Sequence, residues 1–231
     1  RAADGASAQV NIVIIGAGAT GVELAAELRQ TTRAHAGYGL EHLDPVRNIR
    51  LTLLEAAPRI LPPLSEQLAS AATELLQRLD VAVHTAQRVT SVDADGVHTA
   101  TGVVFRADLV VWAAGIMAPE ILRTLDGLEV NRANQLVVGP TLQTTQDPGI
   151  FAFGDCAAAP WLGHAILPPR AQVAHQQATL LARSIKARLA GRALPEFHFR
   201  DFGSLVSLGE LSAVGTLMGR LIGGSMLIQG L

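Results

Sequence analysis

Cysteine, aromatic residues and net charge are all scarce in this sequence. Cys156 is the one cysteine among 231 residues, so the chain can form neither an internal disulfide framework nor a CxxC metal or redox pair. Aromatic residues make up 4% of the chain and the formal net charge is −2. A nucleic-acid-binding surface needs a basic field or aromatic rings for stacking, so nucleic acid is not an expected partner.

Charged residues and long apolar runs are also limited. Charged residues account for 16% of the chain, against about 25% in ordinary domains, which favours a surface partly covered in a larger assembly. No uninterrupted apolar run reaches the length of about 18 residues that suggests a membrane span. Val214–Leu231 comes nearest, but Arg220 and Gln229 interrupt it. Because the chain starts at Arg1 and stops in apolar sequence, we expect it to be a soluble fragment of a longer protein.

The most informative motif is a glycine-rich loop between a buried strand and a helix. The sequence NIVIIGAGATGVE at residues 11–23 contains the GxGxxG pattern. Gly16 permits a tight turn, Gly18 lets the backbone approach the phosphates of a dinucleotide, and Gly21 lets the helix pack closely on the strand. A helix over 20–33 and a strand over 49–54 complete a βαβ unit. The pattern predicts a nucleotide site; a glycine-rich turn in an unrelated α/β domain is the alternative.

Glu55 follows the second predicted strand and is the candidate ligand of the adenosine ribose. Its carboxylate can accept hydrogen bonds from both ribose hydroxyls and would repel a 2′-phosphate, which favours NADH over NADPH. It lies 34 residues after Gly21 (55 − 21), whereas the usual fingerprint has about 20. Arg59 would soften the preference if it faced the site. A surface carboxylate that caps the next loop is the alternative interpretation of Glu55.

The remaining pattern predicts an α/β fold with a parallel sheet. Helical spacing of apolar residues predicts a helix over 64–79, and further strands are predicted at 81–83, 88–93, 97–99, 103–105, 109–113, 135–138 and 150–153. A long helix is expected to start at Pro168-Pro169 and to end near Gly191 as its C-cap. Its predicted apolar stripe consists of Ala174, Ala178, Leu181, Ile185 and Leu189. No HExxH motif or paired ligand spacing organises the seven histidines, so no metal site is expected.

Six segments together carry a resemblance to a known family. They read GAGATGVELAAEL, LLEAAPRILP, LVVWAAGI, TLQTTQDPGIFAFGDC, PPRAQVAHQQA and FRDFGSLVSLGELSAVG. The chain resembles type II NADH dehydrogenases, the single-subunit, non-proton-pumping NADH:quinone oxidoreductases, from about Asn11 to its last residue. In that family the NADH domain is inserted into the FAD domain. The resemblance therefore implies that the glycine loop of the FAD site lies upstream, outside this chain.

The resemblance assigns roles in the flavin and quinone region. Asp155 would bind the ribityl part of FAD, and Gly154 would allow its close approach; an Asp that caps the turn after a strand is the alternative. Gln172 and His175 match residues near the flavin ring and the quinone. Judged from the residues alone, a histidine on a helix such as His175 more often bonds a neighbouring carbonyl than takes part in chemistry.

The resemblance also assigns roles at the nicotinamide. Glu23 matches a carboxylate beside the junction of nicotinamide and flavin, although a carboxylate in the first helical turn is stabilised by the helix dipole whatever its function. The turn over which the nicotinamide passes matches Ala113, Ala114 and Gly115. Cys156 is expected to be structural.

The resemblance implies the following organisation and activity. Residues 1–10 are a tail, 11–117 a Rossmann-like three-layer NADH-binding domain, 118–192 the later part of an FAD-binding domain, and 193–231 the start of a C-terminal domain on the membrane or dimer side. The full-length enzyme would oxidise NADH through FAD and reduce a membrane quinone by two electrons. It would lie peripherally on the cytoplasmic face of the inner membrane, bind that surface through a later segment, and could form a homodimer.

Two other functions remain open from the sequence. One is a flavoprotein reductase of the same superfamily with a soluble acceptor; a sulfide:quinone reductase would need cysteines at the flavin, which this chain does not supply. The other is a nucleotide-binding module without turnover. A second strand and GxGxxG loop encoded upstream would favour the enzyme, and their absence would favour the module.

Overall fold

The computed structural model of the chain describes residues 9–36, 44, 47–161, 166–208, 213–217 and 220–224. The chain divides into two compact units. The first consists of residues 1–115 together with 202–231, and the second of residues 116–201.

Within the described residues the elements are numbered in chain order. Strands β1 to β12 span Val10–Ile15, Ile49–Leu54, Val81–His84, Val89–Val92, Val97–Thr99, Val104–Phe105, Leu109–Trp112, Leu136–Val137, Ala157–Ala158, Gly203–Ser207, Ala213–Leu217 and Arg220–Gly224. Helices α1 to α3 span Ala19–Ala36, Glu66–Arg78 and Ala171–Leu189, and two short 3-10 helices span Glu120–Thr124 and Gly154–Cys156.

The first unit is built on a four-stranded parallel sheet with the strand order β3-β2-β1-β7. β1 pairs with β2 on one side and β7 on the other, so Ile15 has Leu54 and Trp112 as neighbours at the carboxyl end. Val13 and Ile14 are 1% and 0% exposed. Consecutive apolar residues are buried because both faces of a parallel sheet are covered.

The sheet lies between two further layers. Helices α1 and α2 bury their apolar residues on one face. The antiparallel strands β4, β5 and β6 cover the other, where Val97 packs against Val13, Ile15 and Leu54. A turn at Asp95-Gly96 joins β4 to β5, and Gly96 has a φ of 136°. The three-layer α/β architecture expected from the sequence is therefore confirmed.

A buried arginine fixes α1 to two other elements of this unit. Arg29 is 1% exposed, and its Nη2 donates to the carbonyl oxygens of Ile49 at 3.0 Å and Asp80 at 2.9 Å. Burial, and then the charge of Arg33, lower the pKa of Arg29 below its usual value. The guanidinium thus ties the helix to the start of β2 and to the turn before β3.

The antiparallel strands β10, β11 and β12 belong to the first unit. Val206 and Leu208 are 1% and 2% exposed and share a core with α1 and α2. The boundaries between the two compact units therefore lie at 115/116 and 201/202. The domain boundaries predicted from the sequence lie at 117/118 and 192/193. The assignment of one nucleotide to each predicted domain remains a prediction.

The second unit packs α3 on a core formed largely by short irregular segments. Leu136, Leu142, Ala157 and Val173 are among its buried residues. The prediction of a strand at 150–153 is wrong. Within the described chain, Phe151 makes only an isolated bridge with Gln143. The Ile150 N–H is instead used in a turn, where it donates to the carbonyl of Asp147.

Helix α3 differs from its prediction at the start and on its buried face. It begins at Ala171 rather than at Pro168-Pro169. Its buried residues are Val173, Gln177, Ser184 and Ala187, whereas Ile185 and Leu189 of the predicted stripe are 49% and 85% exposed. The expected end is confirmed: Gly191 has a φ of 65°, and the Arg192 N–H bonds the carbonyl of Ala187, the pattern of a Schellman cap.

Candidate functional site

The glycine loop lies at the point in the sheet where the strand order reverses. The chain proceeds outward from β1 to β2 and β3, and then returns to place β7 on the opposite side of β1. Ligands of open parallel sheets bind at the carboxyl ends of the strands at such a switch point. The loop between β1 and α1 begins there, with Gly16 directly after Ile15.

The three loop glycines have different steric environments. Gly16 has a φ of 101°, and a Cβ on it would lie 2.7 Å from the backbone N and Cα of Ala114. A Cβ on Gly21 would overlap the carbonyl oxygen of Gly16, so this helix residue touches the loop backbone. A Cβ on Gly18 would meet nothing within 4 Å. Gly16 and Gly21 are thus required by the fold itself, whereas Gly18 leaves open space beside the loop.

Glu55 is held against the same loop despite its long sequence separation. Its Oε2 accepts the Ala17 N–H and its Oε1 accepts the Ala57 N–H, both at 2.8 Å. The backbone N–H of Glu55 donates to the carbonyl of His84 at 2.9 Å. An ionised carboxylate has about four acceptor positions, so two remain for ligand hydroxyls.

Arg59 does not face this site. Its Nη1 donates to the carbonyl of Leu64 at 2.5 Å and its Nη2 to the carbonyl of Pro62 at 2.8 Å. The side chain lines a separate surface depression together with residues of α2. The positive charge that could have softened the preference of Glu55 is therefore directed elsewhere.

The glycine loop and Glu55 line an open cleft of about 360 Å³ at the carboxyl edge of the sheet. Its walls include Gly16, Gly18, Glu55 and the turn from Ala113 to Gly115 that follows β7. The first turn of α1 has backbone N–H groups without intrahelical partners, and it begins at Ala19 beside Gly18. The cleft therefore offers an electropositive helix end, a carboxylate and a narrow apolar turn along one groove.

Glu23 takes a different position from the one predicted. No acidic residue lies in the first turn of α1, and Glu23 falls in the second. Its Oε1 accepts the backbone N–H of Ser207 at 2.9 Å, which ties α1 to β10 within the first unit. Glu23 is not among the residues that line the cleft, and its catalytic role remains a prediction.

In the second unit, Gly154 and Asp155 form a turn that two glutamines hold. Gly154 has a φ of 71°, and its N–H donates to Oε1 of Gln177 at 2.7 Å. The carbonyl of Asp155 accepts Nε2 of Gln135 at 2.9 Å, while the Asp155 side chain is exposed. Sequence reasoning missed both glutamines: Gln177 because a polar residue on an amphipathic helix is assigned to its solvent face, and Gln135 because it was counted only as the start of a predicted strand.

Gln172 and His175 lie in the first turns of α3, in the same unit as Asp155. Gln172 Nε2 donates to Oδ1 of Asp201 at 3.4 Å, and Asp201 also pairs with Arg170 at 3.0 Å. His175 is exposed. A Cβ on Gly154 would lie 3.4 Å from the Cβ of Ala174, so the start of α3 adjoins the Gly154–Asp155 turn.

Cys156 and the other ligating side chains form no reactive cluster in the part of the chain described. The thiol of Cys156 donates to the carbonyl of Phe153 at 3.2 Å. Among the described residues, no three His, Cys, Asp or Glu side chains are grouped so that they could hold a metal ion. Within the same ranges, the helices lack the combination of length and apolarity that crossing a membrane requires.

Sequence comparison places this architecture among known proteins. The profile of the pyridine nucleotide-disulphide oxidoreductase family matches residues 2–178. A type II NADH:quinone oxidoreductase of Haemophilus influenzae is 42% identical over 222 residues, covering 96% of this chain and 50% of the relative. A Mycobacterium tuberculosis protein of the same description is 34% identical, covering 90% and 46% respectively. The chain thus spans about half the length of the curated relatives it matches.

Solved structures share the fold. The structure of NDH2 from Plasmodium falciparum in complex with NADH matches with a TM-score of 0.83 at 18% identity, over 95% of this chain and 60% of that one. An FAD-dependent pyridine nucleotide-disulphide oxidoreductase from Desulfovibrio vulgaris matches with a TM-score of 0.65 at 27% identity, over 89% and 48%.

Proposed function

The chain belongs to the pyridine nucleotide-disulphide oxidoreductase family, and on that premise we propose that it supplies the NADH site of a type II NADH:quinone oxidoreductase. The observation that carries the proposal is the cleft at the switch point of the parallel sheet, where the glycine loop and Glu55 meet. The relatives named type II NADH:quinone oxidoreductase support the activity. Reduction of the quinone is proposed for the full-length protein.

The geometry of the cleft suits NADH from end to end. The pyrophosphate would lie at the N-terminus of α1 beside Gly18, where backbone N–H groups and the helix dipole favour an anion. The adenosine ribose would bond the two remaining acceptor positions of Glu55. The nicotinamide end would pass over Ala114 and Gly115. Glu55 would repel a 2′-phosphate, and Arg59 is directed elsewhere. Arg88 lines the cleft, so the preference for NADH over NADPH rests on Glu55.

The second unit fits one end of a flavin. The left-handed backbone of Gly154 and the exposed carboxylate of Asp155 would let the ribityl hydroxyls approach and bond. The chain carries one GxGxxG loop, in the first unit, so the FAD pyrophosphate would bind a segment outside it. When bound, FAD supplies the acceptor for the hydride of NADH and the donor for two-electron quinone reduction.

The three candidate catalytic residues would not take part in the hydride transfer itself. Hydride transfer needs no acid or base, so Glu23, Gln172 and His175 would orient rings or deliver protons to the reduced quinone. The full-length protein would bind peripherally to the cytoplasmic face of the inner membrane and could form a homodimer. These partners rest on the family resemblance.

Replacing Glu55 should weaken NADH binding. Glu55→Ala removes a charged acceptor of the ribose hydroxyls, and we expect a loss of about 1.5–3 kcal/mol in binding free energy. Glu55→Gln, which keeps the size and one oxygen acceptor, should lose less affinity for NADH and bind NADPH relatively better. Calorimetry measures both ligands.

Glu74→Ala is the matched control for these variants. Glu74 is exposed on α2 and lies outside the cleft, so its replacement should leave NADH affinity unchanged. If Glu55→Ala binds NADH as well as the unmodified chain does, Glu55 does not contact the ribose and the ribose is bound elsewhere.

Gln172→Ala and His175→Ala should separate the two half-reactions of the full-length, FAD-loaded protein. Both residues lie on α3 in the second unit, whereas the NADH cleft belongs to the first. We expect quinone reduction to slow about tenfold or more, with reduction of FAD by NADH nearly unchanged. Stopped-flow absorbance follows each step.

Arg183→Ala, an exposed position further along α3, is the control and should affect neither step. Equal impairment of both half-reactions by the Gln172 and His175 variants, or of neither, would mean that α3 is a scaffold and that the quinone is bound at another place.

A further inference from the structure

Trp112 is an exposed tryptophan at the edge of the cleft. It is the last residue of β7 and is 62% exposed. Tryptophan is highly buried on average because its ring carries a large apolar surface. The ring is thus open to solvent at the carboxyl end of a parallel strand, on the wall of the cleft.

The indole also forms a hydrogen bond with the turn that follows it. Nε1 donates to the carbonyl of Ala114 at 2.9 Å, which fixes the backbone between β7 and Gly115. The Ala113 N–H donates to the carbonyl of Ile15 at 2.8 Å, so the turn is tied to β1 just before the glycine loop. The turn is therefore held by one bond within its own segment and one bond to β1.

We propose, resting on the NADH site argued above, that Trp112 is a nucleotide-binding residue of the cleft. The indole packs against the nicotinamide half of the dinucleotide, and its N–H positions the Ala113–Gly115 turn beneath it. The ring supplies apolar contact area that the small side chains of the turn lack, and aromatic faces suit the flat nicotinamide ring. The two roles differ in what a substitution removes.

Substitutions at Trp112 separate these roles. Trp112→Phe keeps an aromatic wall and loses the hydrogen bond to Ala114, whereas Trp112→Ala loses both. Calorimetry should therefore show NADH binding weakened severalfold by the first and at least about tenfold by the second. Because the side chain is mostly exposed, thermal unfolding should change little in either variant. Trp161→Phe, at the second of the two tryptophans, should bind NADH normally.

The Trp161→Phe chain also allows the contact to be observed directly. Trp112 is then its single tryptophan, and acrylamide quenching of its emission measures how far the ring is exposed. NAD⁺, which does not absorb at the emission wavelength, should reduce this quenching severalfold at saturation. If the unmodified chain binds neither NADH nor NAD⁺, the proposed function fails and this inference fails with it. If it binds them while Trp112→Ala binds equally well, or while Trp112 remains as accessible as before, only the role of Trp112 is overturned.

Discussion

Gly21→Ala is expected to destabilise the chain severely. A Cβ at this position would overlap the carbonyl oxygen of Gly16, and a backbone atom cannot move aside as a flexible side chain can. Relief would require α1 to move away from β1, where Val22, Ala25 and Ala26 are fully buried. We expect the free energy of unfolding to fall by about 3 kcal/mol or more, measured by urea unfolding.

Such a loss is a large part of the stability of an ordinary domain, about 5–15 kcal/mol. Gly18→Ala, in the same loop, is the matched control and should leave the unfolding free energy nearly unchanged. An equal stability of the Gly21→Ala and Gly18→Ala chains would show that the close contact between helix and loop is not as described.

Gly18→Ala should instead abolish most of the NADH binding. Nothing lies within 4 Å of a Cβ built at Gly18, so the fold tolerates the methyl group. Gly18 lines the cleft at the start of α1, where the pyrophosphate is proposed to lie against the backbone. A methyl group there would hold the phosphates away from the N–H groups. We expect affinity to fall about a hundredfold, or about 2.7 kcal/mol, by calorimetry.

The contrast between the two glycines separates folding from binding in one loop. Gly18→Ala should unfold at the same temperature as the unmodified chain while binding NADH poorly. Normal NADH affinity in this variant would mean that the pyrophosphate does not approach Gly18, and the binding mode would have to be revised.

The local pattern of the first unit was predictable because neighbouring residues determine its strands and its glycine turn. Val13 and Ile14 belong to an apolar run that only a strand covered on both faces explains. The left-handed φ of Gly16 follows from its place between strand and helix. Glu55 lies beside the glycine loop in spite of its unusual spacing, because the end of β2 beside β1 determines its position and the number of intervening residues does not.

Features that depend on which distant residue or strand a residue contacts could not be predicted from the local sequence pattern. Residues 150–153 have the composition of a strand, but a strand needs a neighbour, and Phe151 finds only one bridge. Gln177 and Ser184 are buried on α3 because they bond Gly154 and Leu180. A hydrophobicity pattern counts such polar residues as exposed, and it therefore selects the wrong face of the helix.

The position of Glu23 shows the same limit. Its hydrogen bond to the Ser207 N–H spans 184 residues of sequence, and no local signal predicts that β10 would lie against α1. The family resemblance suggests a role at the nicotinamide. The contact with β10 is what the structure adds, and the two are compatible because a carboxylate has more than two acceptor positions.

The central claim is that the cleft at the carboxyl edge of the parallel sheet binds NADH. Calorimetric titration of the unmodified chain with NADH and with NADPH tests it most directly, with circular dichroism to verify that the chain is folded. We expect one NADH site per chain, and an affinity for NADH at least about tenfold, or about 1.4 kcal/mol, higher than for NADPH. A folded chain that binds neither nucleotide, or binds both equally well, would contradict it.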